Sequence, residues 1–245
     1  MRDGQKAVCR PAGQLSAQQG CANLSHGDLA QAPGTEAMAE TVTIVDYHAG
    51  NLTSVRLAIE KLGHTALVTS EPARIREASR LIFPGVGAAG AAMATLASLG
   101  LGKAIVEYAA SGRPMLGICL GAQVILDHSA EGDVPCLGIL PGRVERLDVP
   151  PDGKVPHMGW NSVSQAAPHD IWEGIGDGSE FYFVHSYAPV PAVDSFTLGL
   201  TDYYGQFTSA LARDNVVACQ FHPERSGRVG LRLLENFLRW KAQPF

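Results

Sequence analysis

No stretch of this 245-residue chain approaches the ~20 consecutive apolar residues that a membrane-spanning helix needs. The first residues hold no apolar core of signal-peptide length, so no secretory leader is expected. Basic charge is not in excess: the formal net charge is −5. That gives no reason to expect nucleic acid or an anionic membrane as a partner. The five cysteines are odd in number, scattered, and never in C-x-x-C spacing. This argues against a disulfide framework and against a zinc site, and it fits a reducing, cytoplasmic location. No cofactor and no metal are expected. A G-x-x-x-x-G-K-[ST] phosphate loop is also missing.

What is present suits a sizeable buried core, with 46% hydrophobic and 18% charged residues. Residues 1–37 are rich in Gln, Gly, Ala and Ser and show no helix or strand period. They read as a disordered extension, with one folded domain over 38–245. From Thr41 the chain alternates strand and helix: Val42 to Val45, then an amphipathic stretch from Asn51 to Leu62 closed by Gly63. Apolar runs at Ala66–Thr69, Leu81–Phe83 and Met115–Ile118 continue the strands, with helices near Ala91–Leu99 and Lys103–Ala110. From Leu137 to Ala212 short strand-like runs alternate with Pro/Gly turns, which suggests antiparallel additions. Val229, Leu233, Leu234, Phe237 and Leu238 share one face of a closing helix over Ser226–Trp240. The expectation is an α/β fold, with a mostly parallel central sheet flanked by helices and an antiparallel extension.

Chemistry concentrates at Gly117-Ile118-Cys119-Leu120-Gly121, directly after the apolar run Pro114-Met115-Leu116. A buried strand ends in cysteine, glycines flank it at two residues on either side, and a helix-compatible stretch from Ala122 to Asp127 follows. This is the thiol form of a strand–nucleophile–helix elbow. The glycines leave room for a sharp turn. A helix N-terminus next to the sulfur favours thiolate over thiol. An inert core thiol is the competing reading, because free cysteine is commonly buried.

A nucleophilic cysteine needs a base, and His222-Pro223-Glu224 supplies a candidate. It follows Asn215–Phe221, a run apolar and β-branched enough for a central strand. In extended chain, residues two apart face one side, so His222 and Glu224 can point into one site. His222 would take the thiol proton while Glu224 holds the imidazole. A third part is the turn Gly85-Val86-Gly87 after Leu81-Ile82-Phe83-Pro84. With the Leu120 N–H, backbone donors at Gly85 and Val86 would form an oxyanion hole. The same turn also reads as an ordinary strand-to-helix turn, or weakly as a phosphate loop.

Gly117–Gln123 together with His222-Pro223-Glu224 resembles the triad, or class I, glutamine amidotransferases. Pro84–Gly87, Pro156-His157-Met158-Gly159-Trp160-Asn161, Phe181–Tyr187 and Phe221–Ser226 are similar to the branch of that family formed by glutaminase subunits of imidazole glycerol phosphate synthases. The resemblance runs from about Thr41 to Trp240. It implies hydrolysis of glutamine to glutamate through a thioester on Cys119, with ammonia passed to a cyclase subunit in a heterodimer. Catalytic roles then fall on Cys119, His222 and Glu224, and glutamine contacts on Gly87, Gln123, Ser186 and Tyr187. His185 is a second histidine nearby that lacks a carboxylate of its own. Asn51, Met158, Trp160 and Asn161 would lie toward the cyclase or the ammonia exit. Spacing alone favours plain core packing for Met158 and Trp160.

Two positions depart from that pattern. Ala122 replaces a common methionine, and His48 replaces a common glycine in Asp46-Tyr47-His48-Ala49-Gly50-Asn51. Rival readings are a glutaminase subunit of the anthranilate or aminodeoxychorismate type, a stand-alone cysteine hydrolase of γ-glutamyl compounds, and a catalytically dead module. The resemblance further implies weak glutaminase activity in isolation, with the Gly85–Gly87 backbone reorienting when the cyclase engages.

Overall fold

The computed structural model describes residues 40–48 and 50–242. The expected N-terminal extension, residues 1–37, lies outside them. The first half of the fold runs β1 (Thr41–Val45), α1 (Leu52–Lys61), β2 (Thr65–Thr69), α2 (Pro72–Glu77), β3 (Arg80–Gly85), α3 (Ala89–Ser98), α4 (Leu101–Ala109) and β4 (Met115–Cys119). A single turn, α5 (Leu120–Val124), follows at once. Then come β5 (His128–Ser129), β6 (Val134–Pro135), β7 (Gly142–Arg146), β8 (His157–Gln165), β9 (Ser179–His185), β10 (Tyr187–Pro191), β11 (Thr197–Asp202), β12 (Gln206–Arg213) and β13 (Val216–Cys219). Helix α6 (Gly227–Arg239) closes the fold.

The main sheet has the order β2-β1-β3-β4-β13-β12-β11-β8-β9. Its first five strands pair in parallel, and from β13 onward the neighbours are antiparallel. A smaller sheet, β10-β7-β5-β6, lies beside it. The expected parallel core with an antiparallel extension is therefore present.

Side chains of the parallel strands alternate between two apolar layers, as a sheet covered on both faces requires. Val42, Ile44, Ile82, Leu116, Ile118 and Val217 join the layer under α1 and α6. Val45, Leu81, Phe83, Met115 and Ala218 join the layer under α2, α3 and α4. Leu233, Leu234 and Phe237 of α6 are buried, each contributing about 1.5–3 kcal/mol of hydrophobic stabilisation. Arg80 ties the end of that helix down: its guanidinium donates to the Phe237 and Trp240 carbonyls and pairs with Glu40. Those carbonyls would otherwise be orphans of the last turn.

Two expectations change in detail. The helix read over Ala122–Asp127 shrinks to Leu120–Val124, so the field of a long helix is not available at the sulfur. The antiparallel region also holds more strand than the short apolar runs implied, notably the nine-residue β8 carrying Met158 and Trp160.

Candidate active site

Three parallel strands end side by side: β3 at Gly85, β4 at Cys119 and β13 at Cys219. Gly85 stands directly opposite Cys119 across β3 and β4. Carboxyl ends of adjacent parallel strands are where open α/β sheets place their ligands. The cavity above them measures about 260 Å³, a size that suits a small amino-acid ligand.

The turn at the nucleophile is built differently from the sequence expectation. Cys119 itself takes the unusual backbone, φ 55° and ψ −108°, while Gly117 and Gly121 do not. The glycines serve close approach. A Cβ on Gly121 would fall 1.9 Å from the Phe83 carbonyl oxygen, and one on Gly117 would fall 3.1 Å from the Gly121 carbonyl oxygen. Of the oxyanion turn, only Gly87 lies at positive φ, 98°.

His222 and Glu224 also meet by another route than the expected extended chain. His222 is extended, but Pro223–Arg225 forms a 3₁₀ turn that Pro223 opens with its fixed φ. Ser226 Oγ closes the turn by donating to the His222 carbonyl at 2.6 Å. The result is a bond of 2.8 Å between His222 Nδ1 and Glu224 Oε1, with both side chains almost fully buried. The other ring nitrogen, Nε2, is buried without an aligned partner among the described residues, and Cys119 is near enough to act on the imidazole. Burial works against the charged ring, but the Cys119 and Glu224 acceptors overcome it and raise His222 to about 10. The site therefore favours the protonated ring.

The other residues singled out from sequence divide in two. Val86, Gly87, Leu120, Gln123, Ser186 and Tyr187 line the cavity with Cys119. Gln123 spends both its N–H groups within the protein, on the Tyr187 carbonyl and on Gln220 Oε1, each at 2.8 Å. Only its oxygen is left for a ligand. Met158 and Trp160 are 63% and 54% exposed, which corrects the core-packing reading. They project from one face of β8, and Trp160 pairs across β9 with Tyr182. Arg225 covers the same Tyr182 ring, and the Tyr182 carbonyl accepts the His222 backbone N–H at 2.9 Å. The exposed patch thus adjoins the strand that holds the base.

Asn161 and Asn51 each have hydrogen-bond partners within the chain. Asn161, on the opposite face of β8, donates to the Asp202 carbonyl at 2.8 Å and lies 3.3 Å from His157 Nε2. Asn51 precedes α1 in a left-handed conformation but does not cap it. Its Nδ2 donates instead to Glu224 Oε1 at 2.5 Å.

Sequence reasoning missed two further neighbours of the sulfur's cavity. Glu131 is the one carboxylate among the described residues that line it, and its Oε2 accepts the Ala89 N–H at the start of α3. That bond bears on the phosphate alternative. Gly85, Gly87 and Gly90 have phosphate-loop glycine spacing between β3 and α3, but a carboxylate already occupies the helix entrance and would repel an anion. Gln220 is the second neighbour, fully buried at the end of β13 and 3.7 Å from Cys119 Sγ. Its one sequence signal is an amide interrupting an otherwise apolar run.

Comparison with known proteins agrees with this architecture. Residues 43–240 match the family model for glutamine amidotransferase class-I. The chain is 52% identical over 206 residues to the imidazole glycerol phosphate synthase subunit HisH of Nitrosococcus oceani, a match covering 82% of this chain and 98% of that protein. It is 50% identical over 208 residues to the subunit of the same name from Aromatoleum aromaticum, covering 81% of this chain and 98% of that one. Among solved structures, PurLQS from Thermotoga maritima is similar in fold, with a TM-score of 0.67 at 19% identity over 82% of this chain and 99% of that chain. With the family model spanning nearly all of the described residues, the chain belongs to the class-I glutamine amidotransferases.

Proposed function

We propose that this chain is the glutaminase subunit of an imidazole glycerol phosphate synthase, a cytoplasmic enzyme of histidine biosynthesis. One amidotransferase domain over 38–245 would carry the activity. The observation that carries the reading is the buried His222–Glu224 pair set beside Cys119 at the floor of a cavity, in a chain half identical to HisH subunits along nearly their whole length. The rival anthranilate type shares the triad but not the Pro156–Asn161 segment.

In this reading His222 holds the Cys119 proton and Glu224 keeps the imidazole in the tautomer that can do so. The sulfur attacks the side-chain amide carbon of glutamine, forming a C–S bond and a tetrahedral oxyanion. The Leu120 N–H, which has no intrahelical acceptor, and the Gly85–Val86 backbone are the donors assigned to that oxygen. His222 returns its proton to the leaving nitrogen, and ammonia departs. Water, deprotonated by His222, then cleaves the thioester to glutamate and frees the sulfur. Glu131 supplies the negative charge that complements the α-ammonium of glutamine, while Gly87, the Gln123 oxygen, Ser186 and Tyr187 complete its cradle.

Ammonia is then passed to a cyclase subunit, which forms imidazole glycerol phosphate and aminoimidazole carboxamide ribotide. The exposed Met158 and Trp160, one pairing away from Tyr182 and the His222 backbone, are the surface offered to that partner. The test is glutamate release by the chain alone, with cyclase, and with cyclase plus its nucleotide, beside Cys119→Ala. Stimulated release that depends on Cys119 is expected. Full activity without cyclase would favour a stand-alone hydrolase, and stimulation by a chorismate-processing partner would favour the rival.

A further inference from the structure

The sulfur of Cys119 has a polar neighbour besides the imidazole. Gln220 is inaccessible to solvent, and its Nε2 donates toward Cys119 Sγ across 3.7 Å. Its orientation is fixed from behind, because Gln220 Oε1 accepts from Gln123 Nε2 at 2.8 Å. The second N–H of Gln123 is committed to the Tyr187 carbonyl. Turning the Gln220 amide over would set its NH₂ against the Gln123 NH₂ and its oxygen against the sulfur. The first contact would be repulsive in a buried site, and the second would be repulsive whenever the sulfur is anionic.

The same carbonyl extends the chain of donors. His185 Nδ1 lies 2.9 Å from the Tyr187 oxygen, and His185 Nε2 lies 3.0 Å from His157 Nδ1. His157 Nε2 faces the Asn161 amide. A neutral imidazole that donates at Nδ1 must accept at Nε2, so each proton in the row has one place to sit. Burial keeps both rings neutral, lowering His157 to about 4 and His185 to about 3. The row ends, through Gln123, on the Gln220 amide.

We infer that Gln220 is a further catalytic residue, whose side-chain N–H stabilises negative charge on Cys119 Sγ, and that Gln123 is the positioning residue that aims it. The inference rests on Cys119 being the glutaminase nucleophile. Before attack, the N–H supports the anionic sulfur that His222 creates. During acylation the sulfur's electron pair goes into the C–S bond, and the contact weakens. When water cleaves the thioester, that pair returns to sulfur, and the same N–H receives the leaving anion. Hydrogen bonds to ionised groups are stronger than neutral ones, so the contact favours the anion over the thiol or thioester.

The test uses the full chain and iodoacetamide as a probe of Cys119, with Cys119→Ala as the blank and glutamine hydrolysis with cyclase as the second readout. Gln220→Met keeps length and apolar volume but removes the donor. Its Cys119 alkylation rate at pH 7 should fall about tenfold. Glutaminase kcat should fall by a similar factor while KM changes less than twofold. Gln220→Glu, which sets a carboxylate against the sulfur, should lose more. Gln123→Met leaves Gln220 in place but unaimed, and should lose a smaller factor of about three in alkylation rate, the readout that its place in the glutamine cradle does not touch. A folded Gln220→Met protein that alkylates and turns over within twofold of wild type overturns the inference. If Gln220→Met does not fold, the wild type decides by NMR of glutamine-labelled protein. The Gln220 side-chain amide signals must titrate with the midpoint of Cys119 alkylation, and a signal that ignores that titration overturns the inference. A wild type that releases no glutamate with cyclase would defeat the proposed function, while the alkylation and NMR arms still judge Gln220.

Discussion

Replacing Asn51 separates two roles for one residue. Family resemblance puts it toward the cyclase; the structure puts its amide 2.5 Å from Glu224 Oε1. Asn51→Gly is the clean perturbation. Asn51 sits at φ 77°, where glycine is unstrained, and its side chain caps nothing, so neither backbone nor helix α1 suffers. What is lost is a hydrogen bond to a buried carboxylate whose other oxygen has no partner among the described residues. Bonds to charged groups contribute about 1.5–3 kcal/mol. If most of that support reaches the transition state through His222, kcat/KM falls between about tenfold and about a hundredfold. Asn51→Asp should be worse at neutral pH, since two carboxylates within hydrogen-bond distance cannot both ionise cheaply. Its activity optimum should move to lower pH, where the new carboxyl carries a proton to donate. The assay is cyclase-stimulated glutaminase at saturating cyclase. A pure interface role raises the cyclase concentration needed and is rescued at saturation; a triad role is not. Asn51→Gly within twofold of wild type at saturation would refute the triad role.

Three other outcomes follow from particular contacts. Gly121→Ala forces its Cβ against the Phe83 carbonyl at 1.9 Å, which neither backbone can relieve without parting β3 from α5, so we expect a loss of more than about 4 kcal/mol in urea unfolding and no glutaminase; a well-folded, active variant would contradict this. Tyr47→Phe removes a buried hydroxyl that has no partner among the described residues, and should stabilise the fold by about 1 kcal/mol, read as a rise in Tm of a few degrees; a fall would show that the hydroxyl is satisfied in solution. His157 and His185 have folded values below the unfolded value of about 6.5, so their stabilisation is complete above that pH and is lost as pH falls toward 4 and 3. Between pH 7.5 and 5 each should cost about 2 kcal/mol in urea unfolding, and a double replacement by glutamine should flatten that slope.

Much of the site was legible because its chemistry coincides with chain punctuation. Cys119 and His222 both close apolar strands, and the strand period places them at one edge of the sheet. What could not be read was conformation at single residues. The left-handed turn falls on Cys119 and not on its glycines, and no propensity assigns that strain to a cysteine. His-x-Glu spacing suggested extended chain, yet a 3₁₀ turn makes the pair. Resemblance places Asn51 only toward the cyclase or the ammonia exit, and its hydrogen-bond partner, Glu224, is 173 positions away. Gln220 and Glu131 were hard to read for the same reason: a lone amide after a strand or a lone acid in a turn gains meaning only from a distant neighbour. Met158 and Trp160 show the converse. Apolar character suggested burial, and among the described residues no layer covers the face of β8 on which they sit.

The strain at Cys119 explains why both glycines are needed although neither takes the strained conformation. A positive-φ, sparsely populated backbone at a residue with a Cβ costs of order 1–3 kcal/mol and persists only if its surroundings enforce it. Enforcement comes from contact: Gly121 lies so close to the Phe83 carbonyl, and Gly117 so close to the Gly121 carbonyl, that the chain after Cys119 can descend only by one path. A side chain at either position would widen that path and let Cys119 relax toward ordinary φ. The sulfur would then turn from the cavity toward the sheet, away from the side chains that make it reactive. The pentapeptide therefore uses its glycines as absent atoms, and what their absence fixes is the direction of the nucleophile.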